Sequence, residues 1–187
     1  MIRHIALMIV LVAGLFSASP VSAGPGSPGG VTYRPDGWVR FHSYHYQGGT
    51  LVDPSAWHGD DIYNTTARNQ VAKRHNVAAE PLDGNYDQFQ VTIQNDGATD
   101  RFRVGATGPG DWVVKYYRGK TNVTAEVVGG TFMTRSLGHG ESVVLKVKVW
   151  IGHVDTSVAR LLTISSVNNP SQKDAVRIKD SFSGCGC

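Results

Sequence analysis

From residue 31 onward, apolar and polar residues alternate one by one, and turn-forming clusters interrupt the pattern roughly every ten residues. No other feature constrains the fold as tightly. Side chains of a strand point alternately to opposite faces, so a period of two marks strands with one buried face. Val143-x-Leu145-x-Val147-x-Val149 is the cleanest case. The same reading places strands over Trp38 to Tyr46, Tyr86 to Ile93, Phe102 to Ala106, Trp112 to Tyr117, Val123 to Val127, Leu161 to Val167 and Ala175 to Ile178. Asn95-Asp96-Gly97 and Leu137-Gly138-His139-Gly140-Glu141 are turns, with residues that tolerate positive φ. In the first strand, Val39 and Phe41 are expected on one side and Trp38, Tyr44 and Tyr46 on the other. Gly48 to Pro81 lacks the alternation and reads as a long loop, with a short strand near Ile62-Tyr63 and one helical turn within Thr66 to Ala79.

No helical period is long enough to cover a parallel sheet. About 7–9 short strands therefore predict an all-β chain, an antiparallel immunoglobulin-like sandwich, with a closed barrel as the alternative. No cysteine falls in any strand, so the inter-sheet disulfide of antibody domains is absent.

The N-terminus does not fit this pattern. Arg3 and His4 precede the apolar run Ile5 to Phe16, which is too short to span a bilayer as a helix, and Val21-Ser22-Ala23 supplies short side chains for a signal peptidase. The expected organisation is a signal peptide over 1–23, a flexible Gly/Pro/Ser arm over 24–32, the sandwich over 33–180, and a disordered tail over 181–187. A secreted, extracellular location follows, with no membrane span after cleavage. The chain carries 18 Lys and Arg against 15 Asp and Glu, and cleavage removes only Arg3, leaving 17 bases. That surplus is small and scattered along the sequence, which argues against nucleic acid as a partner. Cys185 and Cys187 are one residue apart at the extreme C-terminus, where a disulfide, within the chain or to a second chain, would brace nothing in the core.

Residues 89–150 resemble an immunoglobulin-like module of bacterial secreted proteins. The resemblance rests on Val91-Thr92-Ile93-Gln94-Asn95-Asp96-Gly97, Asp100-x-Phe102-x-Val104, Trp112-Val113-Val114-Lys115-Tyr116 and Leu137-Gly138-His139-Gly140-Glu141. Upstream, Arg34-Pro35-Asp36-Gly37-Trp38-Val39-Arg40 and Gly59-Asp60-Asp61-Ile62-Tyr63-Asn64 resemble segments that precede such modules in exported actinobacterial proteins. The resemblance implies a module of the kind appended to extracellular hydrolases and surface proteins. It implies no activity, because shape does not fix function.

The residues point away from catalysis. There is no Gly-x-Ser-x-Gly elbow, no Ser-x-x-Lys and no phosphate-binding Gly-x-x-x-x-Gly-Lys loop, and the cysteines lie where no scaffold positions a base. No metal or other cofactor is expected. His42 and His45 are three apart, which on a regular strand puts them on opposite faces. What remains is contact. Trp38, Tyr44, Tyr46, Trp57 and Tyr63 concentrate aromatic rings in the first third of the chain, and such rings stack on flat apolar planes, sugars included. The expected function is that of a non-catalytic secreted module, structural or adhesive. The alternatives are a polysaccharide- or cell-wall-binding accessory with these five residues as its ligand site, and a self-assembling subunit. Partners are then polysaccharide or other surface proteins.

Overall fold

The structure, a computed structural model, describes residues 31–46, 49–51, 54–77, 85–152 and 156–183. The expected signal, almost all of the 24–32 arm, and Cys185 and Cys187 lie outside the described residues. The elements in order are β1 (Pro35–Tyr46), β2 (Gly49–Leu51), β3 (Val71–Val77), β4 (Tyr86–Asn95), β5 (Phe102–Thr107), β6 (Val114–Arg118), β7 (Thr121–Asn122), α1 (Thr124–Val128), β8 (Phe132–Met133), β9 (Ser142–Trp150), β10 (Thr156–Ser166) and β11 (Lys173–Ser183). The fold is all-β and sandwich-like. One sheet runs β2-β1-β4-β9-β6-β7 and the other β3-β11-β10-β5-β8. No described helix is long and apolar enough to cross a membrane.

The period-two pattern does what it predicts. On β9, Leu145, Val147 and Val149 are fully buried while Lys146, Lys148 and Trp150 point outward. Phe89, Val91 and Ile93 of β4 meet Phe102 and Val104 of β5, Leu162 and Ile164 of β10, and Val176 and Ile178 of β11 in one core. Each such side chain contributes about 1.5–3 kcal/mol through burial. Trp112 is buried, and its indole N–H donates to Thr156 Oγ1 at 2.7 Å.

Five details differ from the sequence reading. All strand pairs are antiparallel except β3 with β11, which is parallel. β3 itself lies inside the expected 48–81 loop, and Ile62-Tyr63 is not a strand. The stretch Val123 to Val127 is α1 and not a strand. Asn122 Oδ1 accepts the Thr124 N–H at 3.0 Å, and Val123 and Val127, one helical turn apart, are buried while Ala125 is exposed. The β4–β5 connection crosses between the sheets and so makes no hairpin, and Gly97 is not among the positive-φ residues. Gly97 serves close approach instead: a Cβ there would collide with the Thr32 carbonyl and come within 2.6 Å of Arg34 N. Finally, β11 continues through the buried Phe182 to Ser183, past the expected end of the domain at 180.

A buried carboxylate holds the irregular 59–70 segment in place. Asp174 on β11 accepts the Gly37 N–H at 2.7 Å, the Asn64 N–H at 2.9 Å and the Gln70 side-chain amide at 2.8 Å. Gln70 in turn donates to the carbonyls of Ile62 and Gly37. Glycine at position 37 leaves room for this approach, since a Cβ would lie 2.6 Å from Ile164 Cδ1 and push that side chain aside.

Candidate functional site

The outer face of the six-stranded sheet carries the unexplained side chains, and strand register sorts them into rows. The first joins His45, Tyr86 and Trp150 across β1, β4 and β9. The second joins Ser43, Gln88, Lys148 and Lys115 across β1, β4, β9 and β6. The third joins Arg40, Gln90, Lys146 and Tyr117 across the same strands. The fourth joins Trp38, Thr92 and Val144.

A β-bulge makes the first row. β1 advances two residues, Phe41 to Ser43, while β4 advances one, Phe89 to Gln88, so His42 is the extra residue. One added residue exchanges the faces of everything after it. Two expectations change in consequence. Tyr44 turns toward the core, opposite Asp87 and packed against the buried cluster, so it does not share a face with Trp38. His45 joins His42 on the outer face, so the two histidines are not on opposite sides. The His45 ring is fixed by Ser43 Oγ at its Nε2 and Thr50 Oγ1 at its Nδ1, both at 2.9 Å, and stacks on Tyr86 at 4.5 Å between centroids. Tyr86 contacts Trp150 at 5.2 Å.

The five aromatics read from sequence do not form one strip. Trp38 and Trp57 meet edge to face at 5.9 Å, because residues 55–58 run along the free side of β1 and hydrogen-bond to Val39 and Phe41. The Arg40 guanidinium lies 4.5 Å over the Trp57 ring and donates to Gln90 Oε1 at 2.7 Å. Tyr63 stands apart. Its hydroxyl donates to Asp96 at 2.6 Å, Arg34 caps its ring at 3.7 Å, and among the described residues no ring contact links it to Trp38 or Trp57. The backbone of Tyr46 pairs with Gly49, and its side chain lies outside the described residues.

Charge is distributed unevenly over this face. The rows from Arg40 to His45 contain Arg40, Lys115, Lys146 and Lys148 and no carboxylate. The acids gather beyond Trp38, where Asp36 is fully buried beside Asp60, Asp61 and Asp96. Burial pushes Asp36 up to about 7, with Asp96 and Asp174 adding to it against the backbone N–H of Asp61. On the cationic side, burial holds His42 below the ordinary histidine range, helped by Arg40 and Lys146, and His45 likewise, helped by Lys148. Both rings are therefore neutral near pH 7.

A second titratable pair sits in the core. Asp87 and Asp180 hydrogen-bond to each other and to Asn76, which donates to Asp87 at 2.6 Å. Burial raises both, and the Asp87 charge raises Asp180 further. At 0% and 1% exposure they are out of reach of a polymer. Among the described residues, no group of three or more His, Cys, Asp or Glu side chains gathers as a metal site.

No family model and no curated protein matches the chain. Seventeen solved chains are similar to it in structure. One is the Vibrio cholerae VesB protease, at 23% identity and a TM-score of 0.38, over 59% of this chain and 30% of that one. Another is the N-terminal domain of PorA, at 13% identity and a TM-score of 0.38, over 77% of this chain and 96% of that one. The chain thus spans about a third of the protease and nearly all of the PorA domain.

The signal for the site residues was present but incomplete. Trp150 and Tyr117 each end an alternating run at an outward parity, and Tyr86 begins one. Only the register brings them to one place.

Proposed function

We propose that this chain is a secreted, immunoglobulin-like, non-catalytic module that acts by surface contact, holding polysaccharide on the outer face of its six-stranded sheet. The His45–Tyr86–Trp150 row carries this reading. Three rings from three strands stand together at the end of one sheet face, His45 stacked on Tyr86 and Tyr86 tilted 37° against Trp150, and together they make a rigid aromatic ridge for a chain of sugar rings to lie against. Strand order supports the immunoglobulin-like assignment. With β1, β4, β9 and β6 taken as strands A, B, E and D, and β5, β10 and β11 as C, F and G, both sheets follow the order of immunoglobulin constant domains. The signal-like residues 1–23 support secretion. Self-assembly through a sheet edge is less favoured, because the edge strand β3 carries Lys73 and Arg74, charges of the kind that guard edges against pairing.

The test is co-sedimentation of the chain from Gly24 onward with insoluble cell wall and insoluble polysaccharides, beside a Tyr86→Ala, Trp150→Ala double variant. Losing two stacking rings costs about 1–3 kcal/mol, or roughly 5- to 150-fold in affinity. The wild-type chain is expected to pellet and the double variant to stay in solution. Equal behaviour of the two would remove the outer face from the function.

A further inference from the structure

Lys115 of β6 and Lys148 of β9 are direct cross-strand partners. Like charges so placed repel and weaken the strand pair. Lys146 lies two residues along β9 on the same face, about 7 Å away, and Arg40 completes its row. Among the described residues none of these four cations forms an ion pair. The Lys148 ammonium donates to Tyr86 Oη at 2.9 Å and lies 4.2 Å over that ring. Lys115 lies 5.0 Å over Trp150, and Arg40 binds the neutral Gln90. Glu126 of α1 shares a cleft with Lys115 yet makes no ion pair with it. A single Lys→Glu change on either strand would turn the repulsion into attraction. The sequence instead keeps both lysines, each beside an aromatic ring. Aromatic rings and ammonium groups without a carboxylate partner therefore alternate on one sheet face.

We infer that the polymer held on this face is a polyanionic glycan, with its rings on Tyr86 and Trp150 and its acid groups on Lys115, Lys146 and Lys148. The inference rests on the glycan-binding reading above and names its ligand class. The acid group supplies the negative charge that the β6–β9 pair lacks, so binding relieves the Lys115–Lys148 repulsion. Cations over rings are displaced toward an anion at small cost, since an exposed cation–π contact is weak.

The test measures affinity by calorimetry for polygalacturonate, for the same polymer fully methyl-esterified, for dextran sulfate and for single-stranded DNA. Wild type, Lys115→Glu and the Tyr86→Ala, Trp150→Ala variant are compared, with thermal unfolding of each. The expected result is at least about tenfold tighter binding to the charged glycans than to the esterified one. Binding should weaken about tenfold or more between low and high salt. Lys115→Glu should lose about tenfold in affinity while its melting temperature holds or rises, a combination that loss of structure cannot produce. Tighter binding of polygalacturonate or of dextran sulfate identifies the acid group as carboxylate or sulfate, and either supports the inference. Equal binding of the charged and esterified polymers overturns the inference and leaves the glycan reading standing. Binding to no glycan overturns both, and so does DNA binding as tight as that of the charged glycans.

Discussion

Removing the Asp174 carboxylate should detach the 59–70 segment from the sandwich, and the cost can be worked from its partners. Among the described residues, Asp174→Ala leaves both the Gly37 N–H and the Asn64 N–H without an acceptor. Gln70 keeps the carbonyls of Ile62 and Gly37, so its loss is small. Two orphaned donors at about 1–3 kcal/mol each give about 2–6 kcal/mol. Part of this is offset, because Asp174 is itself raised above the ordinary carboxylate range, by burial first, so its removal relieves a desolvation cost. The net expectation is about 2–4 kcal/mol, a large share of a small domain's stability. Asp174→Asn keeps an acceptor and should cost about half as much. Urea unfolding of the three proteins measures the difference, and hydrogen exchange at Gly37 locates it. A loss under about 1 kcal/mol for the alanine variant, or unchanged protection of the Gly37 amide, would refute the assignment of this carboxylate as the anchor.

Two further predictions concern the core pair and the crossover. The folded state keeps a proton on the Asp87–Asp180 pair that the unfolded chain gives up near pH 4, so stability should fall as pH rises above about 4. Asp180→Asn, which still donates to Asp87, should flatten that fall by at least about 1.4 kcal/mol between pH 5 and 9, read from urea midpoints; a slope equal to wild type would show that the pair does not hold the proton. Gly97→Ala should cost about 1–3 kcal/mol through its clash with the Thr32 carbonyl, measured as a lowered melting temperature, whereas a neutral outcome would mean that residues 32–34 yield freely.

The sandwich was legible wherever one face of a strand is apolar. β4, β5, β9, β10 and β11 bury alternate Val, Leu, Ile and Phe, and the period alone revealed them. β3 was invisible for the opposite reason. Its inward positions are Ala72, Arg74 and Asn76, of which only the first is apolar, and the other two answer the buried Asp87 and Asp180. α1 was misread because Val123, Ala125 and Val127 satisfy a period of two as well as a helical turn, and the Asn122 side chain decides between them. The site was legible only in part. Trp38 and Trp57 do meet, but Tyr63 is held by Asp96 and Arg34 at another place. Tyr86 and Trp150 sit at the start of one strand and the end of another, and no local pattern encodes that they are register partners. Lys115 and Lys148 look scattered in a nearly balanced sequence, and pairing alone concentrates them.

The extra residue at His42 gives chain length a role that substitution cannot fill. Positions 38 to 41 and positions 43 to 45 obey opposite parity rules, so this strand is two half-strands with a phase change between them. Any sequence comparison that runs through β1 without allowing a one-residue gap at 42 would match outward residues to inward ones over its second half. It would then match an aromatic ring in an outward-facing place to one in the core. Relatives of this chain that lack the extra residue should therefore carry the same inward tyrosine and outward histidine in unchanged order, one position earlier, and the spacing, not the residue types, would be the mark of a shared face.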